Sequence, residues 1–252
     1  MSHHIVALHD TSYVYPDGTQ ALHSVTCTIH HGEAVAIIGA NGAGKSTLLS
    51  CLAGIHYPSR GTIRMGDYPV TKQTLPHIRK SVGMVFQNPD DQLFMPTVFD
   101  DVAFGPINLG LPAEEVEQRV MAALEAVGAA QLSRRPAYKL SGGQKRAVAI
   151  ATVLSMQPDI LVMDEPTAAL DAAARRQVLG LLQSFRHTRI IATHDMDLAA
   201  AVCTRAIVLG DGRIVADGRT PDIFRDAALL AAYGLERPLG MQGCPLCGQV
   251  PS

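Results

Sequence analysis

The stretch Gly39-Ala40-Asn41-Gly42-Ala43-Gly44-Lys45-Ser46-Thr47 decides the fold, because of what flanks it. Before it runs Ala34-Val35-Ala36-Ile37-Ile38, the short apolar pattern of a strand buried on both faces. After it Leu48, Leu49 and Leu52 recur at helical spacing. A loop reading G-x-x-x-x-G-K-S between a strand and a helix turns its backbone N–H groups inward as an anion nest, with the positive end of the helix behind them. Lys45 can then reach the β- and γ-phosphates and the Ser46 hydroxyl can ligate Mg²⁺. Gly39, Asn41, Gly42, Gly44, Lys45, Ser46 and Thr47 are read as one nucleoside triphosphate cradle.

The bulk properties suit such a protein. The chain has 252 residues, 47% hydrophobic and 17% charged, enough for a well-buried core. A formal net charge of -2 supplies no basic field for a phosphate backbone, so nucleic acid is not expected as a partner. No apolar run approaches the roughly 20 residues that cross a bilayer, and the opening MSHHIVALHD lacks the pattern of a signal peptide. The reading expects a cytosolic chain. Five irregularly spaced cysteines argue against a disulfide framework, and Cys27, Cys51 and Cys203 lie in apolar contexts.

Two further segments carry chemistry. Ile160-Leu161-Val162-Met163 reads as a buried strand ending in Asp164-Glu165-Pro166. At the mouth of such a strand Asp164 can hold the Mg²⁺ shell, and Glu165 can point at the water that attacks the γ-phosphate. Between loop and acids lies Leu140-Ser141-Gly142-Gly143-Gln144, followed by a helical stretch from Lys145 to Leu154. Ser141 and Gln144 fit an S-x-x-Q capping box. Two glycines in the first turn nevertheless cost a helix roughly 1 kcal/mol each. Their open N–H groups suit a second phosphate site, which one chain cannot easily bring to the same γ-phosphate, whereas a head-to-tail dimer can.

With these motifs in place, residues from about 5 to 220 resemble the ATP-binding-cassette ATPases. Gln87 stands where that family has its Q-loop glutamine, Ala169-Leu170-Asp171 matches its D-loop, and His194 in Ile191-Ala192-Thr193-His194-Asp195 matches its switch histidine. The resemblance implies ATP and Mg²⁺ as ligands, with Ser46, Gln87 and Asp164 on the metal and Glu165, His194 and Gln87 in catalysis. It also implies that Ser141, Gly142, Gly143, Gln144 and Asp171 meet the nucleotide site across a dimer. The adenine-stacking aromatic corresponds to Tyr15, with Tyr13 the alternative two residues back along the strand.

The order of segments implies an α/β fold of the phosphate-loop type. Ile5 to about Gly32 reads as an antiparallel β layer with a Pro-Asp-Gly turn. Buried strands recur near Ser81–Phe86, Ile160–Met163, Arg189–Ala192 and Ala206–Leu209, which implies a mainly parallel sheet with flanking helices. A helical subdomain is expected over about 88–140, inside a cassette domain ending near 236, with a tail over 237–252.

Gln87 is followed by Asn88-Pro89-Asp90-Asp91-Gln92-Leu93-Phe94-Met95, a segment similar to that of the ATPases of energy-coupling-factor importers. An Asx-type turn at Asn88-Pro89 would leave Leu93, Phe94 and Met95 to line a groove for a helix of a membrane partner. The whole chain is most similar to the cobalt and nickel branch, in which one ATPase pairs with itself. That resemblance implies a homodimer on the cytoplasmic face of the membrane, joined to an integral scaffold and to substrate-binding subunits. Vitamin import is the alternative cargo. A soluble cassette working on DNA or ribosomes would bring a long coiled coil or a second cassette, and neither pattern occurs. Cys244-Pro245-Leu246-Cys247 is a lone CxxC, weak as a metal site without a second pair.

Overall fold

The computed structural model describes residues 6–168 and 170–242. The expected N-terminal layer forms from β1 (Val6–Val14) and β2 (Gln20–Ile29), paired antiparallel around the Pro16-Asp17-Gly18 turn. The Thr19 N–H donates to Asp17 Oδ1 at 2.9 Å, and Gly18 supplies the positive φ of 88°. Then follow β3 (Ala34–Ile38) and α1 (Lys45–Leu52), with the quoted loop between them. The layer is completed by β4 (Arg60–Met65) and β5 (Tyr68–Pro69), giving the order β2-β1-β4-β5.

The remaining elements alternate: α2 (Leu75–Ser81), β6 (Val82–Val85), α3 (Val98–Asn108), α4 (Ala113–Ala126), α5 (Gly142–Leu154), β7 (Ile160–Asp164), α6 (Ala172–Ser184) and β8 (Thr188–Thr193). After them come α7 (Met196–Val202), the hairpin β9 (Arg205–Gly210) with β10 (Arg213–Arg219), α8 (Thr220–Arg225) and α9 (Ala227–Ala232). The main sheet has the order β10-β9-β3-β8-β7-β6, parallel throughout except for β10.

Its central strands are apolar along their whole length because both faces are covered. In β3, Val35 and Ile37 face the antiparallel layer and α1, while Ala36 and Ile38 face the helices on the other side. The register places the strand ends level: Ile38 lies beside Thr193, Asp164 beside Ala192, and Val85 beside Met163. The carboxyl ends of β3, β6, β7 and β8 therefore open on one crevice, the place where open parallel sheets take their ligands.

The helical unit is wider than 88–140, since α5 packs on both α3 and α4. Val102, Val120, Leu124, Val148 and Ile150 are fully buried there and join the helix-facing core of the sheet. Among the described residues no helix is long and apolar enough to cross a membrane. Cys27, Cys51 and Cys203 are buried free thiols, and burial pushes the last two up to about 12. Cys244 and Cys247 lie outside the described residues.

Candidate active site

The glycine loop is shaped by its neighbours. Gly44 caps α1 in the left-handed region at φ 98°, and a Cβ there would stand 2.6 Å from the Ala21 carbonyl oxygen. Gly39 has no room either, with the Leu209 carbonyl oxygen 2.4 Å from an added Cβ. Gly44→Ala is accordingly expected to lose ATP binding by tenfold or more and to cost roughly 1–3 kcal/mol of stability, as forced backbone strain does. Nucleotide titration and thermal melting check both, and parental values for this variant would rule out a rigid cradle.

Lys45 is 7% exposed and turns back over its own loop, donating to Gly39 O at 2.8 Å and Ala40 O at 3.1 Å. Burial lowers its pKa, and the charges of Glu165 and Asp164 oppose that shift. The two acids end β7 beside it. Asp164 is pushed up by burial and by Glu165, against the pull of Ser46, Lys45 and Arg146. Its Oδ1 is buried without a hydrogen-bond partner among the described residues. A desolvated carboxylate oxygen at a strand end, with a serine hydroxyl beside it, is a set of hard oxygen donors that suits a divalent cation such as Mg²⁺.

Glu165 departs from ordinary backbone geometry, with φ at 48° in a non-glycine residue. The strained residue is held from several sides: its N–H donates to Ala192 O at 2.9 Å, and Oε2 accepts from Thr193 Oγ1 at 3.1 Å. Its Oε1 accepts the His194 N–H at 3.0 Å and lies 2.8 Å from His194 Nδ1. Strain that neighbours over-determine in this way gathers at functional positions. The outcome is a 5% exposed carboxylate aimed by the switch strand, while the His194 ring stays 64% exposed.

A cleft of about 670 Å³ brings together Tyr15, Asn41, Gly42, Gly44, Lys45, Ser46, Thr47, Gln87, Asp164 and Glu165. The Tyr15 hydroxyl lies 2.8 Å from Thr47 Oγ1. Tyr13 is buried behind it, stacked on His56 at 4.8 Å. His194 and Gly39 line the adjoining depression instead, together with Asp195 and residues 234–237.

The Ser141 motif stands apart from this cleft. Its capping box is complete: the Ser141 N–H donates to Gln144 Oε1 at 3.0 Å and the Gln144 N–H to Ser141 Oγ at 3.3 Å. The helix begins at Gly142, which places both glycines in its first turn as the capping box requires. An added Cβ at Gly142 meets nothing within 4 Å, and one at Gly143 makes only ordinary contacts of 3.7 Å and longer. Nothing among the described residues requires these glycines. Asp171 caps α6, its Oδ1 accepting from the N–H groups of Ala173 at 2.9 Å and Ala174 at 2.8 Å.

Leu93 departs from its expected place. It is 8% exposed within the helical core, since the short helix after Pro89 turns it inward, and it lines no groove. Phe94 remains 64% exposed and packs edge-on against Phe104 at 5.1 Å. Asp101 presents it, Oδ1 accepting the N–H groups of Phe94 and Met95 at 2.9 Å each. Arg146, buried beneath the Gln87 loop, escaped sequence reading because only the fold brings it there.

Strand, glycine loop, buried lysine and paired strand-end acids together define a phosphate-loop nucleoside triphosphatase. Residues 22–168 match the family described as ABC transporter. An ABC transporter ATP-binding protein of Geobacter sulfurreducens is 64% identical over 249 residues, spanning 99% of this chain and all of that protein. The energy-coupling factor transporter ATP-binding protein EcfA of Methanocaldococcus jannaschii is 45% identical, over 93% of this chain and 86% of its own length. Among solved structures, CbiO1 of Clostridium perfringens, part of the ABC transporter complex CbiONQ, superposes with a TM-score of 0.78 at 39% identity, covering 91% of this chain and 94% of its own. A dimeric ABC cassette bound to ADP and phosphate gives 0.78 at 28% identity, over 85% of this chain and 98% of its own. The chain belongs to the ABC transporter family, as an ATP-binding subunit whose hydrolysis of ATP is coupled to transport.

Proposed function

We propose that the chain is the ATPase of an energy-coupling-factor importer that takes up a transition-metal ion, cobalt first and nickel next. In this reading two copies meet head to tail, each glycine loop facing the partner's Ser141-Gly142-Gly143-Gln144. Glycines whose absent side chains would meet no close neighbour among the described residues support that arrangement. Tyr15 stacks on adenine, and Ser46, Gln87 and Asp164 would hold Mg²⁺, which would offset phosphate charge. Glu165 takes the proton of the attacking water while His194 orients it and the γ-phosphate. Gln87 joins the metal site to the helical unit, and Asp171 borders the partner. Residues 1–236 form the cassette, followed by the tail from 237.

The observation that carries the transport reading is a groove of about 890 Å³ beside the Gln87 loop, lined by Ile55, Leu75, Phe86, Phe94, Phe104 and Leu109 among others. An apolar trough rimmed by Lys72, Arg79 and Lys80 suits an amphipathic helix of a membrane scaffold, seating the chain at the cytoplasmic face. Similarity to EcfA and CbiO1 supports the importer type.

The test is uptake in proteoliposomes holding the chain with its membrane subunits. Phe94→Asp with Phe104→Asp is expected to leave basal ATP hydrolysis near the parental rate and to cut uptake by tenfold or more, because charges in an apolar contact cost several kcal/mol. Parallel assays with cobalt, nickel and a vitamin assign the cargo. Vitamin uptake alone would reassign it, and undiminished uptake by the double variant would remove the groove from coupling.

A further inference from the structure

Arg146 lies five residues after Ser141, about one and a half turns along α5, and is 4% exposed. Its Nη1 donates to Phe86 O at 2.7 Å and its Nη2 to Gln87 O, so one guanidinium grips two successive carbonyls at the exit of β6. Among the described residues Nε is buried without a partner, and the two carbonyls are the acceptors the guanidinium has there. The charges of Asp164 and Glu165 reach the same guanidinium from the adjacent strand end. Two side chains reinforce the contact. Gln92 accepts the Phe86 N–H at 3.1 Å and donates to Ala149 O at 2.8 Å and Thr152 Oγ1 at 2.7 Å, and Lys145 pairs with Asp90 at 2.5 Å.

A buried guanidinium cannot let go of its acceptors cheaply, because charged donors would be stranded out of water. Displacement of the Gln87 loop must therefore carry α5 with it, and α5 begins at the Ser141 motif. Charge bound in the cleft would offset the field that the acidic pair exerts on this guanidinium. We propose that Arg146 is a positioning residue that ties the Gln87 loop to the Ser141 helix, so that nucleotide at one site adjusts the tip the same chain offers to the other. The proposal rests on the head-to-tail reading given above. It makes the two sites of a dimer cooperative through a contact inside each chain.

The experiment compares the parent, Arg146→Met and Arg146→Lys in the full-length protein by ATP-dependent hydrolysis, thermal melting and titration with a fluorescent ATP analogue without Mg²⁺. The parent should dimerise with ATP and give a Hill coefficient approaching ~2, the number of sites. Arg146→Met should bring the coefficient toward ~1 and reduce kcat by roughly 3- to 30-fold, the range of coupling changes at such links, with metal-free nucleotide affinity unchanged. Arg146→Lys, which restores one donor, should recover part of the cooperativity; it decides the matter if the methionine variant does not fold. Loss of melting temperature with parental cooperativity in a folded variant would show a merely structural role and overturn the proposal. A parent that neither dimerises with ATP nor shows cooperativity would instead overturn the head-to-tail reading, and the proposal with it.

Discussion

Glu165→Gln is expected to bind ATP near parental affinity and to hydrolyse it at least ~10²-fold more slowly, since a positioned general base contributes about 10²–10⁴. The geometry makes this substitution clean. Oε1 now accepts the His194 N–H and Oε2 accepts from Thr193 Oγ1. A glutamine can keep its oxygen toward the first and its amide toward the hydroxyl oxygen of the second. The bond from the Glu165 N–H to Ala192 O belongs to the backbone and survives, so the unusual φ of 48° is retained. Only basicity is removed. Protein that binds but cannot hydrolyse should accumulate as an ATP-dependent dimer on size-exclusion chromatography. Near-normal turnover would take Glu165 out of the base role.

The strand-to-helix loop and the acids at the end of β7 were legible because each is a local pattern whose meaning depends on a few neighbours in sequence. The antiparallel hairpin was legible for the same reason, its turn written in Pro16-Asp17-Gly18. By contrast β4 buries only Ile63 and Met65 along its length, too few apolar positions to mark a strand, and it forms because β1 offers a free edge. Leu93 and Phe94 show a different limit. An apolar pair reads the same whether its members face a core or a partner, and the 3₁₀ turn after Pro89 sends one each way. Of the Ser141 motif the capping box was legible and fastens the helix start from within, while the glycines leave its tip open, which is compatible with the proposed contact to a partner. Arg146 had no signal at all. Its contacts span 60 and 59 residues, and a lone arginine in a helix ordinarily points to solvent.

Ser141→Arg should abolish hydrolysis in the homodimer by ~10²-fold or more, as loss or blockage of a phosphate-facing donor does. Its cost to the chain's own fold is small by comparison. Ser141 caps an exposed helix start, and replacing such a cap costs ~1 kcal/mol. No strained backbone stands in the way, with φ at -66°. The variant should therefore melt near the parent, and its own Lys45 cradle should still bind ATP. The arrangement is exposed by mixing it with Lys45→Ala, which is dead at the other half of the site. In a mixed dimer, the Ser141→Arg chain contributes a sound Lys45 that faces the sound Ser141 of its partner, and the second site combines both lesions. Random pairing makes half the dimers mixed with one good site in each, so activity should return to at most about a quarter of the parental value, and to less the more the two sites act cooperatively. Parental activity in Ser141→Arg by itself, or recovery on mixing well above a quarter, would mean that the Ser141 motif does not complete its partner's site.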